Sequence, residues 1–289
     1  MTTARPVPGW PVAAPATARI PGPTELTGVW RRTSIEWTDG TRDTATAVTW
    51  LQAGSHYADL RRPARRPDFA AVSCLRELTR PHLEWLSRQE GFAGTLAADT
   101  GNPTVFTWAR QVDIEPFQAV PDTGTLHMEA GTLVERGCLQ PYLERWQRDP
   151  PDDPAPVAAL TLIEPDTGRR GYLLRAGADY AYVRDRLPVH TREPGLPRAV
   201  AVAGLVEAQD LVDIEISIGR VQAGWPIIHS SLPFRENHRL DPRLDPGAAL
   251  LHTGDMSASG RATGRVWTVT DTRGDLRNFP LFGNERPHA

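Results

Sequence analysis

The stretch W-L-Q-A-G-S-H-Y-A-D-L-R-R-P, residues 50–63, is repeated later in the chain as L-L-R-A-G-A-D-Y-A-Y-V-R-D-R-L-P, residues 173–188. The copies align without a gap, with Leu51 against Leu174, Gly54 against Gly177, Tyr57 against Tyr180 and Arg61 against Arg184. Each copy predicts a β-hairpin, because an alternating run leads into a short glycine-centred turn and a second run returns through the tyrosine. Two copies are too few for a solenoid. We therefore interpret the chain as two related β-meanders, which form either paired barrels or the halves of one larger barrel.

Short matches outside the two copies support the duplication. Ile35 with Glu36 and Ile163 with Glu164 precede the copies, each just before a turn containing Asp and Gly. Residues 112–115 and 212–215 both read V-D-I-E and follow the copies. The run 212–218 alternates apolar and polar residues, which predicts a strand with one buried face.

The rest of the chain divides into segments of different composition. Residues 1–24 are rich in Pro, Ala and Thr and predict a flexible arm. A first half over 25–147 and a second half over 157–289 are separated by a proline-dense linker at 148–156. Within the first half, residues 67–88 predict a short helical insertion, with Phe69, Val72, Leu75 and Leu78 on one helical face. Asp68 is placed to cap this helix and Pro81 to end it. Residues 199–206 predict a strand.

Composition narrows the functional classes. The net charge of −3 gives no overall basic footprint, so we expect no nucleic-acid partner. All 32 basic residues are arginine, which excludes Schiff-base lysine chemistry and a phosphate-loop lysine. The two cysteines, Cys74 and Cys138, fit a reducing compartment as well as a single disulfide. No apolar run approaches the length of a membrane span. We therefore expect a cytoplasmic protein that does not enter a membrane; its oligomeric state stays open.

Gly28-x-Trp30, which opens the first meander, resembles the G-x-W of lipocalin-type (calycin) barrels. With the duplicated meander, it makes the chain similar to tandem lipocalin-like proteins, a group that includes hydratases and cyclases of terpenoid and polyketide pathways. Residues 50–63, G-F-A-G at 91–94 and L-V-E-R-G at 133–137 also look like an uncharacterised bacterial family of this shape. The resemblance implies a mostly-β fold of two lipocalin-like antiparallel halves.

Candidate site residues follow from the faces of the hairpins and from the places where the copies differ. Tyr57, Asp59 and Arg61 share one strand face, since alternate residues of a strand point to the same side. In the alignment of the two copies, Trp50 corresponds to Leu173, His56 to Asp179 and Asp59 to Tyr182. His229 has no counterpart in the first half. We therefore expect catalysis from His229, Asp59, His56 and Tyr57. The predicted ligand-binding residues are Trp50, Gln52, Arg61, Trp108, Tyr180, Tyr182, Arg184 and Arg235.

Two interpretations of the repeated arginines stay open. Arg61 and Arg184 either pair with carboxylates such as Glu115 and Glu215 in both halves, or fix the oxygen of a bound carboxylate, enolate or phenolate. In the second case, Trp50, Tyr57, Asp59, Arg61 and His229 would line a common cavity. The nine tryptophans favour an aromatic or apolar ligand, although for Trp30 and Trp37 we expect a core position.

The sequence thus predicts a protein that binds a small apolar or aromatic molecule in a barrel. One hypothesis is a cofactor-independent acid/base enzyme of small-molecule metabolism, of the hydratase, cyclase or isomerase type, hence a lyase or isomerase. The alternative is a non-catalytic carrier. The scattered histidines predict no metal site, and the chain lacks the glycine-rich and nucleophile-elbow motifs of Rossmann and hydrolase folds.

Overall fold

A computed structural model describes residues 18–116, 120–150, 156–188, 193 and 195–279. The protein is mostly β, as the alternating runs predict. Residues 1–17 of the predicted arm and 151–155 of the predicted linker lie outside the described residues. The predicted domain boundaries stay predictions. Cys74 and Cys138 are both free thiols.

The first half forms a closed antiparallel barrel. Its strands are β1 (Gly28–Trp37), β2 (Arg42–Asp43), β3 (Ala47–Ala53), β4 (His56–Arg62), β5 (Glu90–Ala98), β6 (Val105–Asp113), β7 (Asp122–Glu129), β8 (Thr132–Gly137) and β9 (Tyr142–Arg148). They follow the order β2-β1-β3-β4-β5-β6-β7-β8-β9, and β9 pairs back onto β1. Eight strands therefore enclose an interior, and the short β2 pairs with the far end of β1 on the same edge as β3.

The second half repeats this order but does not close within the described residues. Its strands are β10 (Val157–Ile163), β11 (Arg170–Ala176), β12 (Asp179–Arg184), β13 (Glu215–Arg220), β14 (Ile227–Ser230), β15 (Arg243–Leu244), β16 (Leu250–Met256) and β17 (Ala262–Gly274). They follow the order β14-β13-β12-β11-β10-β17-β16-β15. Because β14 and β15 form the two edges of this sheet, the second half is a half-barrel. The described residues thus form one barrel and one open sheet, which differs from both predicted alternatives, paired barrels and the halves of one larger barrel.

The two hairpins pair in the same register, which confirms the duplication at residue level. In the first, Leu51 lies opposite Ala58 and Gln52 opposite Tyr57. In the second, Leu174 lies opposite Ala181 and Arg175 opposite Tyr180. Gly54 and Gly177 both have positive φ, 62° and 68°, as the glycine-centred turns require.

The neighbouring strand extends the match beyond the hairpins. Tyr57 lies opposite Gly94 and Tyr180 opposite Gly219, and in both halves the register shifts at this glycine. A Cβ at Gly94 would lie 2.0 Å from the Ala109 oxygen, and one at Gly219 would lie 2.2 Å from the Pro226 oxygen. Each half therefore keeps a glycine where the next strand comes too close for any side chain.

One of the flanking matches does not belong to the duplication. The V-D-I-E at 112–115 ends β6, whereas the V-D-I-E at 212–215 leads into β13, which is the counterpart of β5. The true counterpart of Glu215 is Glu90, because these residues lie opposite Arg184 and Arg61. The run 212–218 is also buried on both faces, since Glu215 and Ser217 are as inaccessible as the isoleucines beside them.

The helical segments differ from prediction in position. Residues 67–88 hold a 3-10 turn at Leu75–Glu77 and helix α1 (Arg80–Leu86), so Pro81 begins a helix instead of ending one. Proline fits this position because the first N–H groups of a helix have no intrahelical acceptor. Phe69, Val72, Leu75 and Leu78 are buried as expected, but no continuous helix carries them. Residues 199–206 lie in α2 (Leu196–Val202) and α3 (Leu205–Leu211), and not in a strand, because a short apolar run has no decisive period.

The two halves pack through the outer faces of their repeated hairpins. One apolar cluster joins Leu51, Ala58 and Leu60 of the barrel to Leu174, Ala181 and Val183 of the second sheet. Helices α1, α2 and α3 contribute Leu83, Ala199 and Leu211 to the same cluster. The outer faces therefore form a shared core, and the inner faces remain for two separate interiors.

Candidate functional site

The middle of the barrel is filled by aromatic side chains. The ring of Trp50 lies 6.1 Å from that of Trp30, 6.1 Å from that of Trp108 and 5.5 Å from that of Trp146. Trp50 is 1% exposed, and Tyr57 packs in the same cluster. Gln52 accepts a hydrogen bond from Trp50 Nε1 at 2.9 Å and donates one to the Gly54 carbonyl at 2.8 Å. The structure therefore places Trp50, Tyr57, Trp108 and Gln52 in packed core, where they offer no open wall to a ligand.

A layer of ion pairs covers this aromatic core at one end of the barrel. Arg61 Nε donates to Asp59 at 3.0 Å, and the guanidinium groups of Arg61 and Arg32 both donate to Glu144 Oε1, at 3.2 and 2.7 Å. Burial raises the pKa of Asp59 to about 6, although Arg61 opposes the shift. Burial also raises the pKa of Glu135, which accepts from Tyr142 Oη at 2.7 Å.

Two adjoining pockets open above this layer, and we call them together the first mouth. The inner pocket, about 250 Å³, is lined by Arg32, Trp37, Arg61 and Glu144 among others. The outer pocket, about 440 Å³, is lined by Gln89, Asp113, Glu115 and Thr123 among others. Both share a wall that includes Arg88, Glu90, Arg110, Asp122, Gln140 and Tyr142. Trp37 is therefore not a core residue: it is 38% exposed at the rim, whereas Trp30 is buried as predicted.

The second half has its own aromatic interior. Tyr180, Tyr182, Trp225 and Trp267 pack in one cluster on the inner face of the open sheet. Tyr180 Oη donates to the Trp225 carbonyl at 2.7 Å. The hydroxyl of Tyr182 is buried and has no hydrogen-bond partner among the described residues. Tyr180 and Tyr182 thus occupy positions like those of Tyr57 and Asp59 in the barrel.

A cleft of about 610 Å³ lies over the charged end of this second interior, and we call it the second cleft. Arg184 donates to Asp213 at 2.7 Å, Arg235 donates to Glu215 at 3.1 Å and Arg265 donates to Asp255 at 2.7 Å. The remaining wall is apolar. It includes Leu75, Leu187, Leu211, Leu232, Phe234 and Met256. The cleft therefore combines several arginines with a hydrophobic wall, the composition expected of a small-molecule site.

Arginines exceed carboxylates in the second cleft. It is lined by Arg76, Arg169, Arg184, Arg235 and Arg265 against Glu207, Asp210, Asp213 and Asp255. Burial lowers the pKa of Arg169, and the neighbouring Arg184 and Arg265 lower it further. Burial alone would raise the pKa of Asp255, but Arg184, Arg265 and Arg235 together lower it. Arg169 is also paired loosely, since its guanidinium lies 3.4 Å from Asp213 and 3.9 Å from Glu164.

The repeated arginines make the same ion pair in both halves. Arg61 lies 3.8 Å from Glu90, and Arg184 lies 3.9 Å from Glu215. The partner expected for Arg61, Glu115, is wrong: Glu115 accepts instead from the Leu196 N–H at 3.0 Å. Arg184 and Arg235 line the second cleft as well, so pairing and ligand contact are compatible there.

The two candidate histidines lie outside both interiors. His56 is on the outer face of β4, with its ring 6.1 Å from that of Tyr172, and burial lowers its pKa. β14 places His229 opposite Ile218, a residue of the shared core. Burial, and then the nearby Arg62, lower the pKa of His229 to about 4. The expected common cavity of Trp50, Tyr57, Asp59, Arg61 and His229 is therefore wrong, because His229 does not face the barrel interior.

Sequence reasoning missed several residues of these sites. In the first mouth they are Arg32, Arg110, Asp113 and Glu144, and in the second cleft Arg169, Asp213, Asp255 and Arg265. A signal was present on β9 and β16: Glu144 lies two residues from Trp146, and Asp255 lies two residues from Thr253 and four from Leu251. A charge in phase with inward-facing residues near a strand end marks the rim of a barrel.

Comparisons with known proteins add a structural likeness. No family model and no curated protein matches the chain. A search of solved structures found the uncharacterized protein YLR301w of Saccharomyces cerevisiae, at 12% identity and a TM-score of 0.47, covering 85% of this chain and 98% of that one. The likeness is too distant to carry any argument about activity.

Among the described residues, no helix has both the length and the apolar character needed to cross a membrane.

Proposed function

We propose that the protein binds a small molecule with an apolar or aromatic body and one oxyanion group in the second cleft. One observation carries this proposal. Arg169 and Arg184 line the cleft, and the buried Nε–H of each makes no hydrogen bond among the described residues, because the facing carboxylate oxygens of Glu164 and Glu215 are 3.9 Å away. Buried polar groups are rarely left unsatisfied, so two such donors in one cavity favour an acceptor supplied by a ligand.

The chemistry of the wall specifies the rest of the ligand. A carboxylate or similar oxyanion accepts charge-assisted hydrogen bonds from guanidinium groups. It would also relieve the repulsion among Arg169, Arg184 and Arg265, which lowers the pKa of Arg169. Phe234, Leu232 and Met256 offer apolar surface to the body of the ligand. Lipocalin-type barrels, which the sequence resembles, enclose a ligand inside the ring; here we place the ligand at the open end of the half-barrel.

Calorimetric titration with benzoate and 2-naphthoate tests the proposal. We expect saturable binding of both anions, and tighter binding of 2-naphthoate because it buries more apolar surface. Arg169→Gln should weaken both by roughly tenfold or more, the effect of losing a charge-assisted hydrogen bond of about 1.5–3 kcal/mol. The variant should still fold, because Asp213 retains its ion pair with Arg184 and Glu164 retains its ion pair with Arg265.

Arg220→Gln is the matched control. It removes the same charge from the far end of β13, where Arg220 is exposed and lies 3.8 Å from Asp179. Its affinity for both anions should match that of the wild type. Equal weakening by Arg169→Gln and Arg220→Gln would show a general charge effect and no site in the cleft.

The same cleft favours a carrier over an enzyme, because Asp255 is held ionised by three arginines and is a weak base. Acid/base turnover of the hydratase, cyclase or isomerase type is a second candidate. Asp113, which lines the first mouth, and Asp59, in the ion-pair layer beside Arg61, favour it, since burial raises the pKa of each to about 6. Native mass spectrometry detects a co-purified molecule, and chromatography with NMR of that molecule before and after incubation separates the two, because isomerisation and cyclisation leave the mass unchanged. An unchanged structure supports a carrier, and a product whose formation Asp59→Asn stops supports an enzyme. A cytoplasmic location and the lack of a nucleic-acid partner stay predictions.

A further inference from the structure

The outer pocket of the first mouth has a charge balance opposite to that of the second cleft. It is lined by Glu90, Asp113, Glu115 and Asp122, against Arg88 and Arg110. Arg110 is already occupied, because it donates to Asp122 at 2.6 Å and to Asp113 at 3.2 Å. Arg88 is exposed to solvent. Outside this lining, Arg61 lies 3.8 Å from Glu90, and Arg186 lies near Asp113 and Glu115. The lining itself thus holds four carboxylates against two arginines.

The unsatisfied atoms of this pocket are also of the opposite kind. Gln89 lines the pocket and is 4% exposed, and its Oε1 has no hydrogen-bond partner among the described residues. Its Nε2 donates to the Ser231 carbonyl at 2.8 Å, which fixes the amide so that only the acceptor is left unused. The atom left unused here is thus an acceptor, whereas those of the second cleft are donors.

We propose that the outer pocket of the first mouth is a second binding site, specific for a small organic cation that carries N–H donors. An amidinium, a guanidinium or a primary ammonium group fits it. Such a group donates to Gln89 Oε1 and lies among the carboxylates of Glu90, Asp113 and Asp122. A charge-assisted hydrogen bond to a buried acceptor is stronger than a neutral one. This site is independent of the anion site proposed for the second cleft.

The charge state of Asp113 agrees with this assignment. Burial raises the pKa of Asp113 to about 6 in spite of Arg110, so its carboxylate is under-compensated near neutral pH. A bound cation stabilises the ionised form of such a carboxyl group.

Benzamidine and benzoate form a matched pair of probes, because they have the same ring and similar size but opposite charge. In calorimetric titrations of the full chain, we expect benzamidine to bind at the first mouth and benzoate at the second cleft. Each probe should bind in the presence of the other, since the sites are separate. Competition between the two would show a single shared site and would overturn the proposal.

Variants assign the benzamidine site. Asp113→Asn should weaken benzamidine roughly tenfold and leave benzoate unchanged. The asparagine side-chain oxygen can still accept the hydrogen bond from the Glu115 N–H, and Arg110 still forms its ion pair with Asp122, so we expect the variant to fold. Glu90→Gln is a second variant that should weaken benzamidine binding several-fold. The Glu90 side chain is largely exposed, so we expect this variant to fold. Arg169→Gln is the reciprocal control, with benzoate weakened and benzamidine unchanged.

Two results would overturn the inference. One is the absence of saturable benzamidine binding by wild-type protein that binds benzoate; the anion site would then stand without a cation site. The other is benzamidine binding that neither Asp113→Asn nor Glu90→Gln changes, which would place the cation elsewhere on the molecule. Failure of benzoate alone would count against the second cleft and leave the cation site in place.

Discussion

The first mouth and the second cleft occupy corresponding ends of two duplicated β-meanders, yet the polar atoms left without a hydrogen bond differ in kind between them. In the second cleft the unsatisfied lining atoms are the donors Arg169 Nε and Arg184 Nε. In the first mouth they include two acceptors, the amide oxygen Oε1 of Gln89 and the carboxylate oxygen Oε2 of Glu144. The two halves therefore share a backbone frame and differ in the side chains at its charged end, and on this difference rest our two binding proposals.

The shared frame consists of positions that both copies keep for structural reasons. Tyr57 and Tyr180 point inward above a glycine, and Arg61 and Arg184 each face a glutamate at nearly the same distance, 3.8 and 3.9 Å. The copies differ at Asp59 and Tyr182, where the barrel buries a charge and the half-barrel buries a hydroxyl. They also differ in closure, because β9 returns to β1 whereas β14 and β15 remain edges.

The largest effect should come from breaking the glycine that both halves share. Gly94→Ala would place a Cβ 2.0 Å from the Ala109 oxygen inside a closed barrel, where neither strand can move away. We expect at least about 3 kcal/mol lower free energy of unfolding, at the upper end of overpacking effects. Gly219→Ala meets a similar clash, at 2.2 Å from the Pro226 oxygen, but next to the edge strand β14. Gly219→Ala should therefore lower the free energy of unfolding clearly less than Gly94→Ala does.

Urea unfolding of the two variants measures this difference. Gly264→Ala is the control, because this strand glycine has only the Thr253 oxygen near its Cβ position, at 3.9 Å. Its stability should be close to that of the wild type. Equal losses for Gly94→Ala and Gly219→Ala would mean that closure of the barrel does not limit how the strands adjust.

The same contrast explains how far the sequence could predict the structure. The hairpin register followed from twelve aligned residues, because a pleated strand has period two and the repeat fixed its phase. Closure depends on long-range pairing of β9 with β1, for which neither strand carries a local signal. The site residues were harder to predict from the sequence than the strand pairing. Arg61 and Arg184 were found because they repeat. Glu144 and Asp113 of the first mouth, and Arg169 of the second cleft, meet their partners from distant strands only when each sheet curves.

A change of intermediate size should come from the buried charge that only the barrel has. Burial raises the folded-state pKa of Asp59 to about 6, above its unfolded value, so the folded protein holds a proton that the unfolded chain releases. Stability from this group is present below about pH 4 and is lost as the pH rises through about 6. The loss is at most about 3 kcal/mol, for a shift of about two pKa units.

Asp59→Asn should therefore reduce the fall in stability between pH 4.5 and pH 7, measured by urea unfolding at each pH. Asp113 and Glu135 also have raised pKa values, so part of the fall should remain. Tyr182→Phe, at the corresponding position of the second half, should leave the pH dependence unchanged. Burial raises the pKa of this phenol, so it does not ionise between pH 4.5 and pH 7. A pH dependence identical in wild type and Asp59→Asn would mean that Asp59 is ionised as easily as in the unfolded chain.

The smallest effect, and the sharpest comparison, concerns the tyrosine that the two copies share. Tyr57 and Tyr180 are both fully buried, but Tyr180 Oη donates to the Trp225 carbonyl at 2.7 Å, whereas Tyr57 Oη has no partner among the described residues. Removing a hydroxyl that makes a hydrogen bond costs about 1 kcal/mol, and the Trp225 carbonyl would be left without it. Removing a buried hydroxyl without a partner is neutral or stabilising, since its desolvation is not offset by a bond. We therefore expect Tyr180→Phe to lower the free energy of unfolding by about 1 kcal/mol and Tyr57→Phe to leave it unchanged or raise it.

Tyr180→Phe and Tyr57→Phe could differ in stability because only Tyr180 makes a hydrogen bond, or because the two tyrosines lie in different halves of the molecule. Tyr182→Phe distinguishes these explanations. Its hydroxyl is buried without a partner in the described part of the chain, like that of Tyr57, although it lies in the same half as Tyr180. If hydrogen bonding decides, Tyr182→Phe behaves like Tyr57→Phe in urea unfolding. If it instead destabilises the protein as much as Tyr180→Phe does, the open half-barrel responds to any lost oxygen, and the contrast between the two copies has its origin in closure and not in individual hydrogen bonds.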